Sequence, residues 1–244
     1  YNFNKNALEE HIQKILSINI INPDSIKKKN FKVIVDGINS VGGFAVPELL
    51  KKIGVKKIHQ LNCIPNGKFS HDPEPLPENI IEIRNIMKNN DFDLGIVVDP
   101  DVDRLCFLDE KGNTIGEEYT LVLAAKQLLS KQEKIITCSN LSSTMALKEV
   151  TIQANGKYFP SAVGEINVVE KMKEHNADIG GEGNGGVIYP KTHYGRDALV
   201  GIAIILSLLA ETDSSFSALK NKLPQYFISK NKITFNKDFN LLVD

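Results

Sequence analysis

Asp99, Asp101 and Asp103 stand at alternate positions, with Pro100 and Val102 between them and Arg104 immediately behind. Three carboxylates so spaced repel one another, and a hard divalent cation with oxygen ligands relieves that repulsion. Mg2+ is the first choice. Arg104 adds a planar fork of donors of the kind that grips phosphoryl oxygens. Other chemistries fit parts of this stretch. A polar β-turn accounts for Asp and Pro but does not require a third Asp followed by Arg. A calcium loop of the EF-hand kind would use Asp99, Asp101, Asp103 and Glu110, yet it needs Gly where Arg104 stands and a helix where the apolar run 105–108 predicts a strand. An aspartyl phosphatase would use Asp99 as nucleophile and Asp101 as proton donor. Val102 and Asp103 follow where that chemistry favours small polar residues, and this reading stays as an alternative.

A second stretch, Gly180 to Gly186, sets Glu182 and Asn184 among five glycines. A carboxylate and an amide at this spacing suit adjacent sugar hydroxyls, since one accepts hydrogen bonds and the other both accepts and donates. A plain glycine turn has no use for Glu182. The loop holds no basic residue, so burying that carboxylate would be costly and an exposed side chain is expected. Beyond Pro190 come His193, Tyr194, Gly195, Arg196 and Asp197. Arg196 suits a bidentate hold on phosphate. Asp197 is a good N-cap for the apolar helix 198–210. His193 reads equally well as a packing residue or as a ligand contact.

The elements that must position these groups follow from the apolar pattern. Leu8, Ile12, Ile15 and Leu16 recur at helical spacing, and Asn22-Pro23-Asp24 breaks that helix. A strand over 31–36 leads through glycines into a helix bearing Ala45, Leu49 and Leu50, an arrangement that exposes helix N–H groups to an anion or simply serves as a turn. A short strand near 57–61, a proline-rich loop, a helix over 78–88 and a strand ending at Asp99 complete a parallel α/β unit. Ligands of such sheets bind beyond the carboxyl ends of the strands, where Asp99 falls. After the strand 104–109 a boundary is expected near Gly112. The pattern then begins again: a helix over 117–130, a strand over 134–139, a helix capped by Ser142 or Ser143, a strand near 157–159, a helix over 165–175 and a strand over 177–180. The expected fold class is two consecutive α/β domains, each a mainly parallel mixed sheet flanked by helices. No fixed-period repeat is evident, so the halves are expected to share architecture only.

Composition limits what this arrangement can belong to. Across 244 residues, 42% are hydrophobic and 24% charged, which is ordinary for a globular protein with a packed core. With 29 basic and 30 acidic residues the net charge is -1, so no global field draws the chain to nucleic acid or to an anionic membrane. No apolar run reaches the ~20 residues needed to span a bilayer. The opening residues lack the order of a signal peptide, and the expected compartment is the cytosol. Cys63, Cys106 and Cys138 are widely spaced and read as small core residues. Among the basic residues only Arg84, Arg104 and Arg196 are arginine; Arg84 reads as a surface residue, and the other two stand where a fork is useful.

Together, the strand and turn 35–43 (VDGINSVGG), the loop 99–104 (DPDVDR), the turn 162–165 (AVGE) and the loop 180–186 (GGEGNGG) resemble the α-D-phosphohexomutases, the phosphoglucomutase and phosphomannomutase superfamily. The resemblance covers nearly the whole chain. It implies a Mg2+ ion on Asp99, Asp101 and Asp103, Arg104 near a phosphoserine, and Glu182 and Asn184 on sugar hydroxyls, with His193 and Arg196 as further substrate contacts. Asn184, where many members have Ser, is similar to bacterial and archaeal branches that act as phosphoglucosamine or phosphomannose mutases. Ser161-Ala162 stands where many members carry Thr-Lys, so one expected basic contact is missing. The family has four domains, which implies that 1–111 and 112–228 are the second and third, that 229–244 is a linker toward the fourth, and that the serine-bearing first domain lies outside the chain. The implied activity is transfer of phosphate between the 1 and 6 positions of a hexose, with hexose phosphate as partner and these residues alone inactive. A non-catalytic sugar-phosphate-binding or assembly module is the alternative.

Overall fold

Val33, Ile34 and Val35 in β1 (Lys32–Asp36), and every residue of β3 (Leu94–Val98), are buried on both faces, as expected of a parallel sheet covered by helices. The computed structural model describes residues 4–228; the expected linker 229–244 lies outside them. The first sheet has the order β2-β1-β3-β4, where β2 is Lys57–Leu61 and β4 is Leu105–Leu108. β1 runs parallel to β2 and β3, and β4 returns antiparallel to β3. Its helices are α1 (Ala7–Leu16), α2 (Pro23–Lys29), α3 (Gly42–Lys52) and α4 (Ile81–Lys88).

The second sheet repeats the plan with the order β6-β5-β7-β8, built from β5 (Ile136–Asn140), β6 (Lys157–Ser161), β7 (Ile179–Gly181) and β8 (Val187–Ile188). β5 is parallel to β6 and β7, and β8 is antiparallel to β7. The helices here are α5 (Glu118–Lys131), α6 (Ala146–Gln153), α7 (Glu165–His175), α8 (Ala198–Ala210) and α9 (Phe216–Asn221). The chain is thus two α/β domains, each with a mixed four-stranded sheet. α8 is buried along almost its whole length, because it packs on α5 of its own domain and on α2 and α3 of the other. One hydrophobic cluster runs from Ile12 through α8 to Leu223 and joins both domains. No helix among the described residues is long and apolar enough to cross a membrane.

Four local expectations need correction. Asn22-Pro23 does not break the first helix, which already ends at Leu16, but starts the second: the Asn22 side chain accepts the Ser25 N–H at 3.1 Å and Pro23 opens α2. α4 begins at Ile81, because the segment before it is spent on turns closed onto Leu76. Ser142 and Ser143 do not cap α6 through their side chains; the Ser142 N–H and the Ser143 hydroxyl both donate to Asn140 Oδ1, and α6 starts only at Ala146. Cys106 and Cys138 are buried as expected, whereas Cys63 is partly exposed.

Candidate active site

The Asp loop is the β3–β4 hairpin connection, at the carboxyl end of β3. Asp99 Oδ1 accepts the backbone N–H groups of Asp103 and Arg104, each at 3.0 Å, which curls the loop around its own first carboxylate. The curl places Val102 at φ 64°, a conformation that a β-branched residue adopts only under constraint. Two anchors supply that constraint. The Ser40 hydroxyl donates to the Pro100 carbonyl at 2.7 Å, and the Ala198 N–H donates to the Val102 carbonyl at 3.0 Å. One oxygen each of Asp99, Asp101 and Asp103 then falls within 4.8 Å of the others.

This set fits a hard cation. Burial, together with the neighbouring carboxylates of Asp103 and Asp101 and against the Arg104 N–H, pushes the Asp99 carboxyl up to about 7. The loop is therefore short of positive charge, and three carboxylate oxygens are ligands of the kind Mg2+ takes. Arg104 only partly answers the deficit. Its Nε lies 3.7 Å from Asp99 Oδ2, while a terminal nitrogen donates to Glu74 at 2.9 Å.

The glycine loop is the corresponding β7–β8 connection, and its carboxylate is not where the loop composition suggests. Glu182 is 6% exposed, so the expectation of an exposed side chain is wrong. Its partners come from elsewhere in the chain: Asn140, at the end of β5, donates to Oε1 at 2.8 Å, and Arg196 donates to Oε2 at 3.0 Å. Asn184 turns back within the loop, its Nδ2 lying 3.4 Å from Glu182 Oε2 and its Oδ1 accepting the Gly186 N–H at 3.2 Å. Glycine is required here by space. A Cβ at Gly185 would sit 2.4 Å from the Leu105 carbonyl oxygen, and one at Gly186 would sit 2.3 Å from Arg196 Cδ.

Arg196 joins the two loops. One terminal nitrogen donates to Glu182 and the other to Asp103, while Nε lies 3.2 Å from Glu165 Oε2 and the backbone N–H donates to Glu165 Oε1 at 2.9 Å. The structure thus brings Asp99, Asp101, Asp103, Arg104, Glu182, Asn184 and Arg196 into one region. His193 is engaged differently, with Asp197, which also caps α8 by accepting the Leu199 and Val200 N–H groups. Asn140 and Glu165 escaped the sequence reading. A polar residue closing the strand 136–140, and the Glu of the 162–165 turn, were the available signals.

The sequence model for phosphoglucomutase/phosphomannomutase alpha/beta/alpha domain II matches residues 9–112, and that for domain III matches residues 116–227. The chain belongs to the phosphoglucomutase/phosphomannomutase family. It is 33% identical over 215 residues to a phosphoglucomutase/phosphomannomutase of Thermococcus kodakarensis, an alignment covering 88% of this chain and 47% of that protein. A phosphoglucosamine/phosphogalactosamine mutase of Sulfurisphaera tokodaii is 32% identical over 230 residues, 93% of this chain and 50% of its own length. Among solved structures, a family protein of Burkholderia thailandensis superposes with a TM-score of 0.80 at 27% identity, covering 90% of this chain and 47% of that one. The chain therefore spans about half the length of the curated relatives it matches.

Proposed function

We propose that these residues are the magnesium- and sugar-binding portion of a phosphohexomutase that moves a phosphoryl group between the 1 and 6 oxygens of a hexose. The observation that carries this reading is the Arg196 bridge, which makes a carboxylate triad suited to Mg2+ and a Glu–Asn pair suited to hydroxyls parts of one site. Mg2+ held by Asp99, Asp101 and Asp103 would supply charge stabilisation to a phosphoryl group in transit. Arg104 is placed to donate to the oxygens of that group, since its guanidinium lies 3.7 Å from Asp99 of the same loop and, among the described residues, makes one close bond, to Glu74. Glu182 would accept from a sugar hydroxyl on the one Oε1 lone pair that Asn140 leaves free, Oε2 being taken by Arg196 and Asn184, and the second Asn184 amide hydrogen would donate to the adjacent hydroxyl. Arg196 keeps the two halves in register and lends part of its charge to a substrate phosphate. The phosphoryl group itself would be given and retaken by a serine on the part of the relatives' length that this chain does not span.

Phosphorus NMR tests this with the chain, Mg2+, a hexose 1-phosphate and a trace of the hexose 1,6-bisphosphate. Saturable, Mg2+-dependent binding of the sugar phosphate without formation of 6-phosphate is expected, and Glu182→Gln should weaken that binding. Joining the chain to the flanking domains of the Thermococcus kodakarensis relative should restore conversion. Absence of binding, or conversion by the chain alone that survives rigorous purification, contradicts the proposal.

A further inference from the structure

Outside the candidate active site, a second cluster gathers ligands of another chemistry. His11 on α1 and His193 in the loop before α8 both turn Nε2 toward the same oxygen, Asp197 Oδ2, at 2.9 and 3.3 Å. One ligand atom from each residue lies within 4.8 Å of the other two. We propose that His11, His193 and Asp197 form a binding site for a divalent transition-metal ion, Zn2+ being the representative, which clasps α1 to the N-terminus of α8.

The geometry suits such an ion. With Zn–N bonds of about 2.0–2.1 Å, tetrahedral ligand atoms sit about 3.3 Å apart; the His193 distance to Asp197 Oδ2, 3.3 Å, matches that, and the His11 distance, 2.9 Å, needs only a small opening of the cluster. The imidazoles are tilted by 49° with centroids 5.7 Å apart, so they converge on the carboxylate and do not stack on each other. Asp197 Oδ1 is already committed to the Leu199 and Val200 N–H groups, and this fixes Oδ2 in the outward direction, the orienting role that metal sites need from neighbouring hydrogen bonds. An ion on Nε2 of both rings leaves no hydrogen there: each neutral ring then carries its one proton on Nδ1, and any proton in excess of that passes to solvent. Glu165 adds negative potential beside His193, and Lys14, the opposing charge there, has its ammonium committed to the Thr192 carbonyl.

Two nitrogen ligands distinguish this site from the all-oxygen Asp loop, since imidazole selects Zn2+ and its neighbours over Mg2+. His193 is 46% exposed on its side chain and His11 26%, which leaves a fourth position open to water. The role is a clasp between segments far apart in the chain, and it does not depend on the sugar-phosphate reading.

Calorimetry and Co2+ absorption on the chelator-stripped chain at pH 7.5, with Mg2+ in excess to occupy the Asp loop, decide the matter. One Zn2+ per chain should bind, raise the thermal midpoint and compete with Co2+, whose visible bands should report imidazole ligation. His11→Ala and His193→Ala should each weaken binding about tenfold or more. His11→Asn, which keeps a donor for Asp197 and so protects the fold, should weaken it as well. Asp101→Asn should leave it unchanged. No binding, or binding that Asp101→Asn abolishes and the histidine variants do not, overturns the assignment.

Discussion

The β3–β4 and β7–β8 hairpins sit at the same place in two sheets of the same order. In each, an Asp before the strand both donates its N–H to the first residue of the neighbouring strand and accepts that residue's N–H on its side chain: Asp93 with Lys32, Asp178 with Ile136. In each, the second residue of the strand is a glycine whose missing Cβ admits a methionine sulfur from the preceding helix, Met87 against Gly95 and Met172 against Gly180. These residues recur at matching offsets, so a short sequence repeat does exist where none was expected. Beyond it the hairpins diverge. The first sets three carboxylates against the loosely held Arg104 and a share of Arg196 on Asp103, and burial drives its Asp99 upward. The second carries one carboxylate already answered by Asn140 and Arg196. One framework thus supports a loop that lacks a cation and a loop that is electrostatically complete.

The largest effect is expected where the loops meet. Arg196→Met removes the guanidinium that Asp103, Glu165 and Glu182 share, and stripping one partner from a largely buried ion pair costs about 3–5 kcal/mol. Urea unfolding should show it, with Arg196→Lys recovering only part of the loss, since Lys lacks the fork. A loss below about 1 kcal/mol would mean the loops are held in register by something else.

Glu182→Gln comes next. The amide keeps a bond to Asn140 but withdraws the charge from Arg196, and losing a charged hydrogen bond should cost about 1.5–3 kcal/mol with the fold intact. An unchanged midpoint would return Glu182 to a purely ligand-facing role.

Asp99→Asn should move the other way. In the metal-free protein the folded carboxyl stands at about 7, above its unfolded value of ~3.9, so the native state holds a proton that the unfolded state releases in that window. The stability this gives is present near pH 4 and is lost as pH rises through 7. The Asn variant, which can still accept the Asp103 and Arg104 N–H groups, should match wild type near pH 4 and exceed it above pH 7 by on the order of 1 kcal/mol. A variant less stable than wild type at pH 8 would remove the contrast between the loops.

The fold and much of the candidate site were legible in the sequence because they rest on local signals. The buried runs of β1 and β3, the α8 cap at Asp197 and the alternation of the three aspartates each need only near neighbours. Glu182 was misjudged because what decides its burial is distant: Arg196 follows a second turn, and Asn140 ends a strand of another βα unit. His193 was ambiguous for the same reason, since its companion His11 lies at the opposite end of the chain. The repeat went unseen because it is confined to one helix–strand junction and hidden by hairpins of different length.

Thermal midpoints with and without Mg2+ at pH 7.5, for wild type, Asp101→Asn and Glu182→Gln, test the central contrast most directly. Ligand binding to the folded state raises the midpoint in proportion to its free energy. Mg2+ should raise it in wild type and by a similar amount in Glu182→Gln, and should leave Asp101→Asn unmoved. An equal rise in all three, or a rise lost in Glu182→Gln and kept in Asp101→Asn, would place the cation away from the Asp loop and contradict the account.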